Sequence, residues 1–130
     1  MNSKVTVENV PLFTDARGWL IEPVEEAVLG GSRNVHIVFS APGTIRGNHY
    51  HQRTTEVCVV VGPALVRVRE STTVREIRVP DGQAMRFTFP PGVAHAVQNT
   101  GGRPMILMSF ATQPHDPNHP DTMPEVLIES

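Results

Sequence analysis

The chain has 130 residues, with 13 acidic and 11 basic side chains interspersed and a formal net charge of -2, so no nucleic-acid-binding surface and no acidic tail is encoded. No apolar run reaches membrane-spanning length, and the opening Met1-Asn-Ser-Lys-Val-Thr-Val-Glu-Asn has no apolar core of a secretion signal. The lone Cys58 has no partner for an internal disulfide, which makes a reducing cytoplasm the expected compartment.

Residues 1–130 are read as one domain, long enough to bury roughly two-thirds of the unfolded surface. In chain order, β-branched runs predict strands at Lys4 to Val10, Trp19 to Val24, Asn34 to Ser40, Ile45 to His51, Glu56 to Val61 and Ala64 to Arg69. Further strands are predicted at Thr73 to Val79, Ala84 to Phe89, Ala94 to Gln98 and Pro104 to Ala111. Turn signals such as Ala41-Pro-Gly, Gly62-Pro, Pro80-Asp-Gly, Pro90-Pro-Gly and Gly101-Gly punctuate them. Glu25 to Leu29 makes a single helical turn at most. About ten short strands with regular turns indicate a β-sandwich or barrel. The proline-rich tail, about residues 112–130, is expected to wrap the surface in extended form.

Two stretches carry the chemistry. Gly43-Thr-Ile-Arg46-Gly-Asn-His49-Tyr-His51-Gln-Arg-Thr-Thr-Glu56 places two histidines on one face of a strand and a carboxylate just past a tight turn. Pro90-Pro-Gly92-Val-Ala-His95-Ala-Val-Gln-Asn99 supplies a third histidine after a Pro-Gly turn. If the sheet closes on itself, His49, His51, Glu56 and His95 form a three-histidine, one-carboxylate site suited to Zn, Mn, Fe(II), Ni or Co. Four protein ligands would close a tetrahedral zinc site, whereas an octahedral ion keeps positions for substrate. Without metal, His49 and His51 can serve directly as acid and base.

Alternation puts Glu56, Cys58 and Val60 on the inner side with the histidines and turns Tyr50 outward. His95 and Val97 look one way, Ala96 and Gln98 the other. Arg46 falls opposite the ligands unless Gly47 supplies a bulge that rotates it inward. There it would clamp a phosphate or carboxylate; the alternative is a surface ion pair. Arg67 and Arg69 are read as a solvated face and Cys58 as a small buried apolar residue. His36 either lines the cavity or is an ordinary strand histidine.

The two stretches resemble the two signature motifs of the cupin superfamily, which implies a double-stranded β-helix, the jelly-roll barrel. Gly62 arrives one residue early for the first motif, and the second lacks its upstream glycine. More narrowly, Arg46-Gly-Asn-His-Tyr-His51 and Asp116-Pro-Asn-His-Pro-Asp-Thr122 resemble the C-terminal cupin domain of bacterial capsular-polysaccharide nucleotide-sugar reductases. That resemblance implies one zinc ion on His49, His51, Glu56 and His95, and epimerisation of a UDP-4-keto-6-deoxy hexose. It gives the tail, with His115 and His119, a packing role. Phe13-Thr-Asp-Ala-Arg17-Gly-Trp-Leu-Ile-Glu22 is similar to the opening hairpin of the dTDP-sugar ketoisomerase and 3,5-epimerase cupins.

The chain departs from these families in places. It has no Gly-x-Gly-x-x-Gly fingerprint, so any reduction falls to a separate reductase. Its single tyrosine, Tyr50, does not supply the acid of the double epimerases. The expectation is a metal-binding epimerase or isomerase of a 4-keto-6-deoxy nucleotide sugar, with His49, His51 and Arg46 in the chemistry. A non-haem iron or nickel dioxygenase and a non-enzymatic sugar-binding module are the alternatives. A homodimer is expected, with Lys4 to Val10 lent to the partner.

Overall fold

The computed structural model describes residues 4–130. In chain order come β1 (Thr6–Val10), β2 (Phe13–Asp15), β3 (Gly18–Leu20), α1 (Glu26–Gly31), β4 (Asn34–Ser40) and β5 (Ile45–His51). They are followed by β6 (Glu56–Val61), β7 (Ala64–Glu70), β8 (Thr73–Val79), β9 (Ala84–Phe89), β10 (His95–Asn99), β11 (Met105–Ala111) and β12 (Thr122–Pro124). Two five-stranded antiparallel sheets, β1-β9-β6-β11-β4 and β12-β5-β10-β7-β8, face each other, and β2-β3 is a separate hairpin. This is the jelly-roll barrel that the cupin resemblance implies, within the sandwich-or-barrel class that the strand spacing indicates.

Between the sheets lies the main core, with Cys58, Val60, Val66, Val68, Phe87, Phe89, Val97 and Leu107. Glu56 to Val61 shows no polar alternation because β6 is buried along both faces. Val59 and Val61, on its outer side, meet Leu12, Ile21 and Val24 of the N-terminal segment. The tail covers the other sheet, where Leu127 and Ile128 pack with Ile45, Leu65 and Ala96. Edge strand β8 instead carries Arg75, Glu76 and Arg78, charges that discourage pairing with another sheet.

Two local expectations are corrected. The predicted strand Trp19 to Val24 is a short hairpin, with Phe13 paired to Leu20. Pro23, which has no N–H to give a ladder, lies in the irregular stretch beyond it. The helical turn extends over six residues, Glu26–Gly31, without burying any of them. Strand β1 pairs Thr6 to Val10 with Thr88 to Ala84 of the same chain.

Candidate metal and sugar site

The site is built at one end of the barrel, where β5 finishes and β6 and β10 begin. On β5 the ladder to β10 slips: His95 faces His49, while the next residue, Ala96, faces Gly47. Gly47 at φ 84° and Asn48 at φ 58° absorb the extra residue as a bulge. Glycine is required at 47 twice over, by its left-handed backbone and because a Cβ there would sit 2.7 Å from the His95 carbonyl oxygen. Asn48 holds its own uncommon conformation with side-chain hydrogen bonds, accepting from the Leu127 and Ile128 N–H groups and donating to the Ile128 carbonyl.

The bulge puts Arg46 opposite Val97, a core residue, in the ladder, yet Arg46 remains exposed. Its Nε donates to the buried Ser40 Oγ at 2.9 Å, which fixes the guanidinium between β5 and β4. The motif's Asn99 is structural. Buried at the other end of β10, it donates to the Ser40 and Arg103 carbonyls and accepts from Gly101 N–H.

The three imidazoles converge. One ring nitrogen from each of His49, His51 and His95 lies within 4.8 Å of the others. Glu56 stands beside two of them, with Oε1 3.2 Å from His95 Nε2 and Oε2 3.5 Å from His51 Nε2. His95 is oriented from both sides: its ring stacks on Phe89 at 4.1 Å with planes 2° apart, and Nδ1 lies 3.1 Å from the Val93 carbonyl. A carbonyl only accepts, so Nδ1 carries the proton and the Nε2 lone pair faces the site. Both His51 Nε2 and His95 Nε2 are buried without a hydrogen-bond partner. Two buried, unpartnered nitrogens beside a carboxylate are a costly arrangement, and a divalent cation relieves it. The donor set therefore fits such an ion.

The electrostatics divide the two β5 histidines. Burial, followed by the neighbouring His95 and His51, lowers the pKa of His49 to about 4. For His51 burial acts in the same sense, but the adjacent Glu56 and then Asp121 outweigh it and raise the pKa. Burial would raise Glu56, yet its contacts with His51 and His95 hold it well below the usual carboxylate range. Cys58 is pushed well above the ordinary thiol value by burial and the Glu56 charge, so it is a buried thiol, as its composition suggested. The sign for the imidazoles follows: in metal-free protein His49 stays neutral as pH falls to about 4, while His51 keeps its proton above the ordinary 6.5. Proton NMR titration of metal-free protein is expected to give two such separated midpoints; coincident midpoints near the ordinary value would contradict the geometry.

A cavity of about 400 Å³ opens beside His51 and Glu56 and is lined by His36 from the barrel and by His115, His119 and Asp121 from the tail; His49 and His95 do not line it. His36 therefore lines the cavity, and the tail is more than packing. The tail adds β12, which pairs Thr122, Met123 and Pro124 with His51, Tyr50 and His49. Arg67 and Arg69, expected as a solvated face, clamp this strap: Arg67 donates to the Leu127 carbonyl and Arg69 pairs with Glu125. A larger cleft of about 560 Å³, including Trp19, Phe39 and Arg103, lies at the opposite end. It contains none of the four predicted ligands.

Residues 13–123 match the family described as the polysaccharide biosynthesis C-terminal domain. The chain belongs to that family. Its relatives include the UDP-2-acetamido-2,6-beta-L-arabino-hexul-4-ose reductase of Pseudomonas aeruginosa, 32% identical over 117 residues, covering 88% of this chain and 31% of the reductase. The spore coat polysaccharide biosynthesis protein SpsL of Bacillus subtilis is 28% identical over 127 residues, covering 90% of this chain and 84% of SpsL. The capsular polysaccharide assembling protein CapF of Staphylococcus aureus has a similar structure, with TM-score 0.67 and 26% identity over 91% of this chain and 34% of CapF. This chain thus spans about a third of the reductase and of CapF. QdtA, a sugar 3,4-ketoisomerase from Thermoanaerobacterium thermosaccharolyticum solved with TDP, superposes with TM-score 0.70 over 95% of this chain and 89% of QdtA. At 17% identity QdtA shows the cupin fold alone.

Proposed function

We propose that this domain is a metal-binding epimerase or isomerase of a 4-keto-6-deoxy nucleotide sugar, serving polysaccharide or secondary-metabolite assembly. The observation that carries it is the convergence of His49, His51 and His95, with Glu56 beside them, at the mouth of a family barrel whose relatives are named for nucleotide-sugar and polysaccharide chemistry. His49, His51, Glu56 and His95 would hold one divalent ion, zinc in preference to Fe, Mn, Ni or Co. Such an ion supplies Lewis-acid polarisation of a carbonyl oxygen.

The residues themselves divide the remaining work. A barrel histidine takes the proton from the carbon next to the ketone, and an imidazole returns it to the other face or the other carbon. With an ion bound, the lone pairs of His49 and His51 would be engaged as ligands and a water on the ion would take the proton instead. In metal-free protein His49, neutral down to about pH 4, can accept it and His51, which keeps its proton more readily, can donate. Arg46, exposed and steadied by its hydrogen bond to Ser40, would hold the enolate or diphosphate charge. A homodimer in the cytoplasm, working with a separate reductase, belongs to the same reading. Among the described residues no helix is long and apolar enough to cross a membrane.

The test is solvent exchange. Incubated in deuterium oxide with UDP- and dTDP-linked 4-keto-6-deoxy hexoses, the protein is expected to introduce deuterium at the carbon beside the ketone of one of them, read by NMR. Stoichiometric binding without exchange would replace the enzyme with a sugar-binding module. Oxygen consumption strictly dependent on Fe(II) would replace it with a dioxygenase.

A further inference from the structure

We infer that Asp121, in the C-terminal strap, is the positioning residue for His51 and fixes which of its ring nitrogens faces the site. The inference deepens the metal-site proposal and rests on it. His51 Nε2 is the buried, unpartnered nitrogen turned toward Glu56. On the far side of the ring, His51 Nδ1 lies 3.8 Å from Asp121 Oδ2 and 3.5 Å from Thr122 Oγ1.

The carboxylate is itself immobilised. Asp121 Oδ1 accepts from the Arg53 N–H at 2.9 Å, and Oδ2 accepts from the Thr54 N–H at 3.1 Å and the Thr54 hydroxyl at 2.5 Å. The Asp121 carbonyl accepts from Gln52 N–H, and Thr122 pairs with His51 across the ladder. Anchored again at Asn48 and Arg69, the strap is held along its length. A fixed acceptor on the Nδ1 side favours the tautomer with its proton there and leaves the Nε2 lone pair for an ion. Carboxylate partners of this kind set both the orientation and the basicity of a ligating imidazole.

A bland role competes: Asp121 also caps the turn from β5 to β6, and its loss would loosen that turn. Asp121→Asn and Thr54→Val separate the two, because Thr54→Val removes one turn hydrogen bond to Oδ2 but keeps the carboxylate charge beside Nδ1 and its bonds from the Arg53 and Thr54 N–H groups. Zinc and cobalt affinities, measured by competition with a chelator, are expected to fall about 10–100-fold in Asp121→Asn and to stay at the wild-type value in Thr54→Val. In metal-free protein, long-range proton–nitrogen NMR about three units above the ordinary histidine pKa of about 6.5 is expected to show His51 protonated at Nδ1. It should shift toward the Nε2–H form in Asp121→Asn, whose amide donates where the carboxylate accepted. Asp121→Glu, which keeps the charge, is expected to retain the Nδ1–H form and provides the comparison if the asparagine variant folds poorly. Equal loss of affinity in Thr54→Val, or an unchanged tautomer in Asp121→Asn, would overturn the inference. If wild-type protein binds neither metal, the metal-site proposal fails, and the tautomer measurement still decides the role of Asp121.

Discussion

Glu56→Gln is expected to abolish stoichiometric divalent-metal binding and the proton exchange that accompanies it, while leaving the barrel folded. The side chain is nearly buried, and its two oxygens reach two different imidazoles. Glutamine has almost the same volume, so packing is kept and the charge alone is removed. Loss of a supporting carboxylate typically weakens a metal site about 10–100-fold; a carboxylate at the centre of the donor set should cost more than that. In metal-free protein the same substitution leaves a protonated His51 without its buried partner, a change worth about 3 kcal/mol or more when such a pair is broken from one side. Elemental analysis of untagged protein and urea denaturation near pH 6 check the two halves. Full metal occupancy in the variant would remove Glu56 from the site.

The second large effect is on stability. Phe89→Ala is expected to cost about 3–5 kcal/mol, the range for deleting a fully buried aromatic ring. Phe89 is 1% exposed and stands between the core and the site, with Phe87 at 6.0 Å and the His95 ring at 4.1 Å. Its removal leaves a cavity and frees one face of His95, so stability and metal affinity should fall together. Phe89→Leu fills much of the space and is expected to cost less than about 1.5 kcal/mol if its neighbours repack. It still loses the stack on the imidazole. Chemical denaturation of both variants, with and without zinc, measures the two effects; a loss under about 1 kcal/mol for Phe89→Ala would show that the ring is not supporting the core.

Much of this was legible in the residues. The spacing Gly43, His49, His51, Glu56 and the later Pro90-x-Gly92-x-x-His95 named the cluster because strand period and tight turns leave those side chains few places to go. The bulge beside Arg46 was legible as well, since Gly47 is the kind of residue that marks one. The tail was not. Asp116-Pro-Asn-His-Pro-Asp-Thr122 stood out as a family likeness, yet no periodicity tells that Asp121 comes to lie 3.8 Å from His51 Nδ1, a residue 70 positions earlier. The one signal available was a carboxylate immediately before a short β-forming triplet. Arg67 and Arg69 were misread for a similar reason: they look solvated until the strap that they clamp is placed over them.

By itself, then, the sequence determined the strands, the inward face of most of them and the identity of the converging imidazoles, because these depend on local period and on turn chemistry. Tertiary structure decided what depends on long-range closure. It paired β1 with β9, wrapped the tail across β5, joined His36 and Asp121 to one cavity and separated the protonation behaviour of His49 from that of His51. Such outcomes are set by burial and by charges brought together from distant parts of the chain, and neither quantity exists until the barrel has closed.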